Sequence, residues 1–162
     1  MSIETVKHYF EQHGRMNDVL EFNESSATVE QAANVLNVIP ARIAKTLSFH
    51  ALEQQALLVV TAGDAKIDNS KFKQQFGVKA KMLDAASVVF YTGHPIGGVC
   101  PFALAQPIPV FLDISLQRFS TIFPACGSAN SAIELSCEEL EKYAQATAWV
   151  DVCKAWNDTE EQ

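Results

Sequence analysis

Apolar positions along this chain switch between two spacings, three to four residues apart and two apart, and each switch marks an element. Ile3, Val6 and Phe10 share a helical face that Gly14 ends. VLEF (19–22) then reads as a short strand. Thr28 followed by Gln31 makes a capping box, in which each residue's side chain accepts from the other's backbone N–H. Behind it Val29, Ala32, Ala33 and Leu36 repeat at i, i+3, i+4 and i+7, which predicts a second helix. Pro40 opens a short helical turn, and KTLSF (45–49) with ALLVVTA (56–62) reads as a hairpin of buried strands.

Asp68 or Asn69 can cap a helix carrying Phe72 and Phe76 at i and i+4, closed by Gly77. VKAKML (78–83) alternates like a strand, and Asp84 caps a short helix over AASVVFYT. Residues 91–102, YTGHPIGGVCPF, break both periods, because proline removes a backbone donor and glycine loses entropy in regular structure. PVFLDI (109–114), a short SLQRF helix, STIFPA (120–125) and AIEL (132–135) follow. Ser136 with Glu139 is a second capping box opening a helix to about Gln145, and AWVDV (148–152) is a last strand. Several neighbouring strands have connections too short for a crossover helix. The expected class is therefore α+β with a mixed sheet and helices around it. With 162 residues and no internal repeat or linker, one domain over 1–162 is expected, and the final NDTEEQ is expected to fray.

Hydrophobic residues at 48% and charged residues at 19% fit a globular protein. No apolar run approaches the roughly 20 residues of a membrane span. The start, MSIETVKHYFEQHG, lacks the basic-then-apolar layout of a signal peptide, so a cytoplasmic protein with no membrane partner is expected. Cysteines at 100, 126, 137 and 153 form no CxxC pair; free thiols are expected, with neither metal nor cofactor. The net charge of −7 argues against a nucleic-acid partner, DNA included, yet the charges are unevenly spread. Lys66, Lys71, Lys73, Lys79 and Lys81 face only Asp68 within residues 66–81, a local +4, while residues 134–162 hold eight acids against two lysines, a local −6. The lysine cluster reads either as a solvated helix face or as a patch for phosphates.

Three stretches could carry chemistry. Lys45 opens an apolar strand in IAKTLSF, either as a strand-end residue reaching water or as a cation aimed into a cleft. Gly97-Gly98-Val99-Cys100-Pro101 reads either as a surface loop or as an anion-binding nest of the kind an oxyanion hole needs. His94 and Cys100, six apart, invite a thiol-nucleophile reading but lack an orienting third group. CGSANSAIEL (126–135) alone is an ordinary turn before a strand.

The order of ATVEQAANVLNVIPARIAKTLSF, VVTAGDAKID, TGHPIGGVCPF, VFLDISL and ACGSANSAIEL resembles the YbaK/ProX family, free-standing relatives of the editing domain of bacterial prolyl-tRNA synthetase. The resemblance covers about residues 15–145. It implies a strongly curved, barrel-like mixed sheet and hydrolysis of mischarged aminoacyl-tRNA in trans, of a small amino acid from tRNA(Pro), with the tRNA 3′ end and a tRNA synthetase as partners. The family's functional lysine falls on Lys45 and its Gly-x-x-x-Pro loop on Gly97 to Pro101, so Lys45, Gly97 and Gly98 are the implied catalytic groups. Thr46, Val99, Cys100, Pro101 and Gly127 are implied at the substrate. Ser128 and Asn130 stand where relatives carry varied polar residues, and Phe22 where some line the pocket with an aromatic ring. Cys100 departs from the Ser or Thr expected there. Ala125 and Ala132 replace polar residues of the cysteine-specific branch, which argues against a cysteinyl substrate. The resemblance implies attack by water; a non-catalytic binding module and a Cys100 thiol hydrolase are the alternatives.

Overall fold

The computed structural model describes residues 2–156, so the NDTEEQ segment lies outside the described residues. The class is α+β. Helix α1 (Ser2–Glu11) buries Val6 and Phe10. Strand β1 (Leu20–Glu21) follows, and then α2 (Val29–Leu36), whose Thr28–Gln31 capping box is formed. A 3-10 turn at Pro40–Arg42 leads into β2 (Ile43–His50), which pairs antiparallel with β3 (Ala56–Ala62), Lys45 lying opposite Thr61. All seven residues of β3 are buried, each Leu or Val contributing about 1.5–3 kcal/mol of apolar burial.

After β4 (Lys66–Ile67) come α3 (Asn69–Phe76), capped by the Asp68 carboxylate, and α4 (Ala85–Thr92), capped by Asp84. Gly77 and Gly93 close these two helices in the left-handed conformation. The chain continues through β5 (Val110–Asp113), a 3-10 turn (Ile114–Arg118), β6 (Phe123–Pro124) and β7 (Ser131–Ala132). Helix α5 (Cys137–Ala144), with its Ser136–Glu139 capping box, precedes β8 (Ala148–Val150) and β9 (Cys153–Lys154).

The main sheet runs β6-β2-β3-β5-β8, with only the β2–β3 pair antiparallel. Two small antiparallel pairs, β1–β7 and β4–β9, flank it. Residues 78–83 are not a strand: they touch the far end of β2 through one bridge, Phe49 to Met82, and the hydrogen bonds His50 N to Lys81 O and Leu83 N to Ser48 O. The core runs from Val6 and Phe10 through Leu58, Leu112 and Ile133 to Leu140, and Phe10 meets Phe102 and Tyr143 edge-on at 4.9 and 5.3 Å. Helix α2 packs a separate cluster, Ala32 and Ala33 against Ile43 and Phe123, at the start of β2. That second cluster leaves a hollow between α2, β2 and the 94–102 loop.

Candidate active site

Where β2 begins, the Lys45 backbone is held by pairing to Thr61 while its side chain reaches past the end of β3. Its Nζ lies 3.4 Å from the carbonyl oxygen of Gly63. Gly63 is squeezed: a Cβ there would run into the Pro40 carbonyl and Val29, so only glycine lets the turn pass beneath α2. Burial of the lysine pulls its pKa below the ordinary lysine value, an effect the Asp64 carboxylate opposes.

Lys45 borders a cavity of about 250 Å³. Its walls come from the entry to α2 (Ser26, Thr28, Val29), the start of β2 (Ile43 to Leu47) and residues 123–132 (Phe123, Ala125, Ser131, Ala132). The 94–102 loop supplies Ile96, Gly97 and Val99. Thus Lys45, Thr46, Gly97 and Val99, far apart in sequence, meet at one hollow. The Thr46 hydroxyl is buried with no hydrogen-bond partner among the described residues.

Residues Ile96–Gly98 form a 3-10 turn in which Gly98 N donates to Pro95 O at 2.9 Å. The Gly98 N–H is therefore engaged, whereas those of Ile96 and Gly97 precede the turn's first internal bond. Gly98 instead serves close packing, since a Cβ on it would lie 2.5–2.6 Å from the backbone of Gly127 and Ser128. Gly97 has ordinary room: its Cβ would meet Ala129 and Ala27 at 3.4 and 3.5 Å.

Beyond the turn the chain is extended, so successive side chains point apart: Val99 faces the cavity and Cys100 enters the main core, fully buried. Burial pushes the Cys100 thiol up to about 12. His94 is 1% exposed; its Nε2 lies 2.8 Å from Phe102 O and 3.4 Å from Cys100 Sγ, and its Nδ1 meets the Ser2 hydroxyl. A carbonyl only accepts, so the network assigns the proton to Nε2, leaving no lone pair there to receive the Cys100 proton. Cys100 and His94 are neighbours without being a nucleophile and its base.

Other expected positions fall behind the wall. Pro101 lines a separate hollow of about 420 Å³ between Tyr9 and Tyr143, which no charged side chain among the described residues borders. Gly127, at φ +95°, has room only for a hydrogen where Ser2 packs against it. Phe22 N donates to Asn130 O and Asn130 Nδ2 donates to Phe22 O, each at 2.8 Å. The Ser128 hydroxyl lies 2.9 Å from Asn130 Oδ1 and 2.7 Å from Ser131 Oγ. Phe22, Gly127, Ser128 and Asn130 thus brace the turn that carries Ser131 into the wall.

The five lysines of the cluster differ in their surroundings. Lys71 Nζ is engaged by Asp151 Oδ1 at 3.0 Å and Cys153 O at 3.1 Å. Lys66, Lys73, Lys79 and Lys81 are exposed. Lys66 is close enough to Lys45 to disfavour its charge, while the backbone carbonyl of Lys81 accepts from His50 N, five residues along β2 from Lys45, or roughly 17 Å. Among the described residues no cluster of three or more His, Cys, Asp or Glu could hold a metal, and no helix is long and apolar enough to cross a membrane.

The profile of the aminoacyl-tRNA editing domain matches residues 23–143. The chain belongs to the aminoacyl-tRNA editing domain family. The uncharacterized protein YwhH of Bacillus subtilis (strain 168) is 56% identical over 156 residues, covering 96% of this chain and 99% of YwhH. A proline–tRNA ligase of Desulfovibrio desulfuricans is 29% identical over 126 residues, 77% of this chain but 21% of the ligase. Among solved structures, one described as a proposed trans-editing enzyme for prolyl tRNA synthetase superposes with a TM-score of 0.84 at 25% identity, covering 94% of this chain and 97% of that one. These relatives agree with the YbaK-type resemblance in the sequence. Within the editing domain, the matched span holds Lys45 and the whole Gly/Pro loop, while Phe22 lies one residue before it. Ser26 lines the cavity from outside the stretches singled out in the sequence, because its contact to Ala129 joins segments about a hundred residues apart.

Proposed function

We propose that this editing domain acts in trans on mischarged aminoacyl-tRNA, hydrolysing the ester between a small amino acid and the terminal ribose, with tRNA(Pro) as carrier. The observation that carries the reading is that Lys45 and Gly97 border the same 250 Å³ cavity. That volume is below the roughly 300–1,000 Å³ of pockets for drug-sized ligands and suits an aminoacyl group. Water attacks the carbonyl carbon, giving up its proton to the substrate's free amino group, directly or relayed through the neighbouring ribose hydroxyl. The tetrahedral oxyanion is met by the Gly97 N–H, and its collapse breaks the bond to the ribose oxygen, which takes up a proton. Lys45 supplies charge and orientation, holding the ester carbonyl or the terminal phosphate. The buried Cys100 takes no part.

Selectivity follows from size. One methylene is worth about 1–3 kcal/mol in a synthetase pocket, so small-residue errors call for a second sieve that excludes the larger cognate. Ala125 and Ala132 in the wall offer no polar group to a thiol. A panel of tRNA(Pro) charged with alanine, serine, threonine, cysteine or proline tests the reading through release of free amino acid. Hydrolysis of small non-cognate esters with prolyl-tRNA spared is expected. A folded protein that binds these substrates and releases none is instead a non-catalytic binding module.

A further inference from the structure

The turn that receives the Lys45 ammonium is clasped by a second element. Ala65 N donates to Ala62 O at 3.1 Å, closing a β-turn with Gly63 and Asp64 at its corners. Both sides of that turn are held by the 3-10 turn Ile114–Arg118. The Ser115 hydroxyl accepts from Ala62 N at 3.1 Å, and Arg118 forks onto Asp64, Nη1 to Oδ2 at 2.9 Å and Nη2 to Oδ1 at 2.6 Å. The guanidinium is itself fixed. Its Nε donates to Ser115 O at 2.8 Å, and it stacks over the rings of Phe119 and Trp156 at 4.9 and 5.0 Å. Its side chain is only 3% exposed. The base beneath is buried too: Asp113 accepts from Ser115 N and Val152 N, each at 2.9 Å.

So much structure invested in one ion pair asks for a reason. A carboxylate one residue from the carbonyl that binds Lys45 is a natural partner for that ammonium. A direct Lys45–Asp64 pair would replace the single long bond to the neutral Gly63 carbonyl, 3.4 Å, by an ion pair and hold the charge on the turn, away from the cavity. The Arg118 fork occupies both Asp64 oxygens, and planar bidentate geometry makes it the stronger competitor.

We propose that Arg118 is a positioning residue for Lys45: by holding Asp64 in a bidentate pair, it keeps the carboxylate from capturing the Lys45 ammonium and leaves that charge facing the cavity. This rests on the reading of Lys45 as the group that orients the ester. The charged and titratable groups around Lys45 are Asp64 on the turn, Arg118 behind it, Lys66 on β4 and Cys153 on β9. Of these, Asp64 alone is both anionic and tethered next to the Lys45 acceptor.

The test is Arg118→Met, alone and combined with Asp64→Asn, in the full chain. Turnover on mischarged tRNA is read beside the pH dependence of Lys45 acetylation by trace acetic anhydride, followed by peptide mass spectrometry. Arg118→Met is expected to lower kcat by about tenfold or more, the scale of a misplaced positioning group. KM should change little, and Lys45 labelling should move to higher pH. Adding Asp64→Asn should restore both, since it removes the captor and leaves a neutral pair that buries without an unmatched charge. If Arg118→Met does not fold, Arg118→Gln, which is neutral and lacks the fork, replaces it and should show the same rescue. A double variant as impaired as the single one, or a single variant with wild-type turnover and labelling, overturns the proposal. Labelling needs no substrate, so the two readings separate. If Lys45→Ala protein is active while Arg118→Met still shifts Lys45 labelling, only the functional reading falls; if Lys45→Ala protein is inactive and Arg118→Met leaves Lys45 labelling unshifted, only this one does.

Discussion

His94 Nε2 lies 2.8 Å from the carbonyl oxygen of Phe102, so one buried ring ties together the two ends of the loop that borders the cavity. Through Nδ1 the same ring reaches Ser2 at the start of α1. Burial lowers the His94 pKa below its ordinary value, against the pull of the Phe102 carbonyl. The unfolded chain therefore binds the proton more readily, and stability must rise with pH across the window below about 6.5. Wild type is expected to lose thermal stability as pH falls from 7 through that window. His94→Gln keeps one donor and one acceptor without titrating, so its melting midpoint should vary less over the same range. Parallel pH profiles for the two proteins would place the titrating group elsewhere.

Cys100 separates catalysis from packing. Cys100→Ser should keep deacylation within a few-fold of wild type, because the thiol is in the core and not at the cavity. Burying a hydroxyl in place of sulfur should cost about 1–3 kcal/mol, read by denaturant unfolding. A loss of several orders of magnitude in activity, with a thioester trapped on wild-type Cys100, would overturn attack by water.

The two adjacent glycines should respond in opposite ways. A Cβ at residue 98 would meet backbone that cannot give way, so Gly98→Ala should destabilise by about 1–3 kcal/mol through overpacking. Gly97→Ala fits between Ala27 and Ala129, and the bulkier Gly97→Val should obstruct the cavity, lowering kcat/KM with little change in melting midpoint. Full activity in Gly97→Val protein would move the oxyanion donors away from this turn.

Phosphate binding by the lysine cluster predicts a salt effect. Neutralising the exposed Lys73, Lys79 and Lys81 should weaken binding about equally for different tRNAs and flatten the salt dependence by up to about one unit of slope per lysine removed. Lys71, already engaged by Asp151, should contribute less. An unchanged slope returns these lysines to a solvated face.

Features set by neighbours in sequence were legible in the chain. The Thr28–Gln31 and Ser136–Glu139 boxes and the Asp84 cap form as their spacing predicts, because a cap needs only residues three apart. Pairing needs a partner. Hence 78–83 alternates like a strand yet meets β2 at one bridge, and STIFPA shrinks to Phe123–Pro124. Lys45 and Gly97 could be named from the family resemblance, and the cavity unites them. Which way Cys100 faces depends on the turn before it, and the Asp64–Arg118 pair joins residues 54 apart, so no local pattern announces either.

Lys45 carries the central claim. Single-turnover deacylation of alanyl- or seryl-tRNA(Pro) by wild-type and Lys45→Ala protein, with folding checked by thermal melting, tests it most directly. The account predicts that alanine removes most of the rate while the melting midpoint stays near wild type, and that Lys45→Arg remains poor because a planar fork does not replace a compact ammonium. Near wild-type turnover in the alanine variant would contradict it.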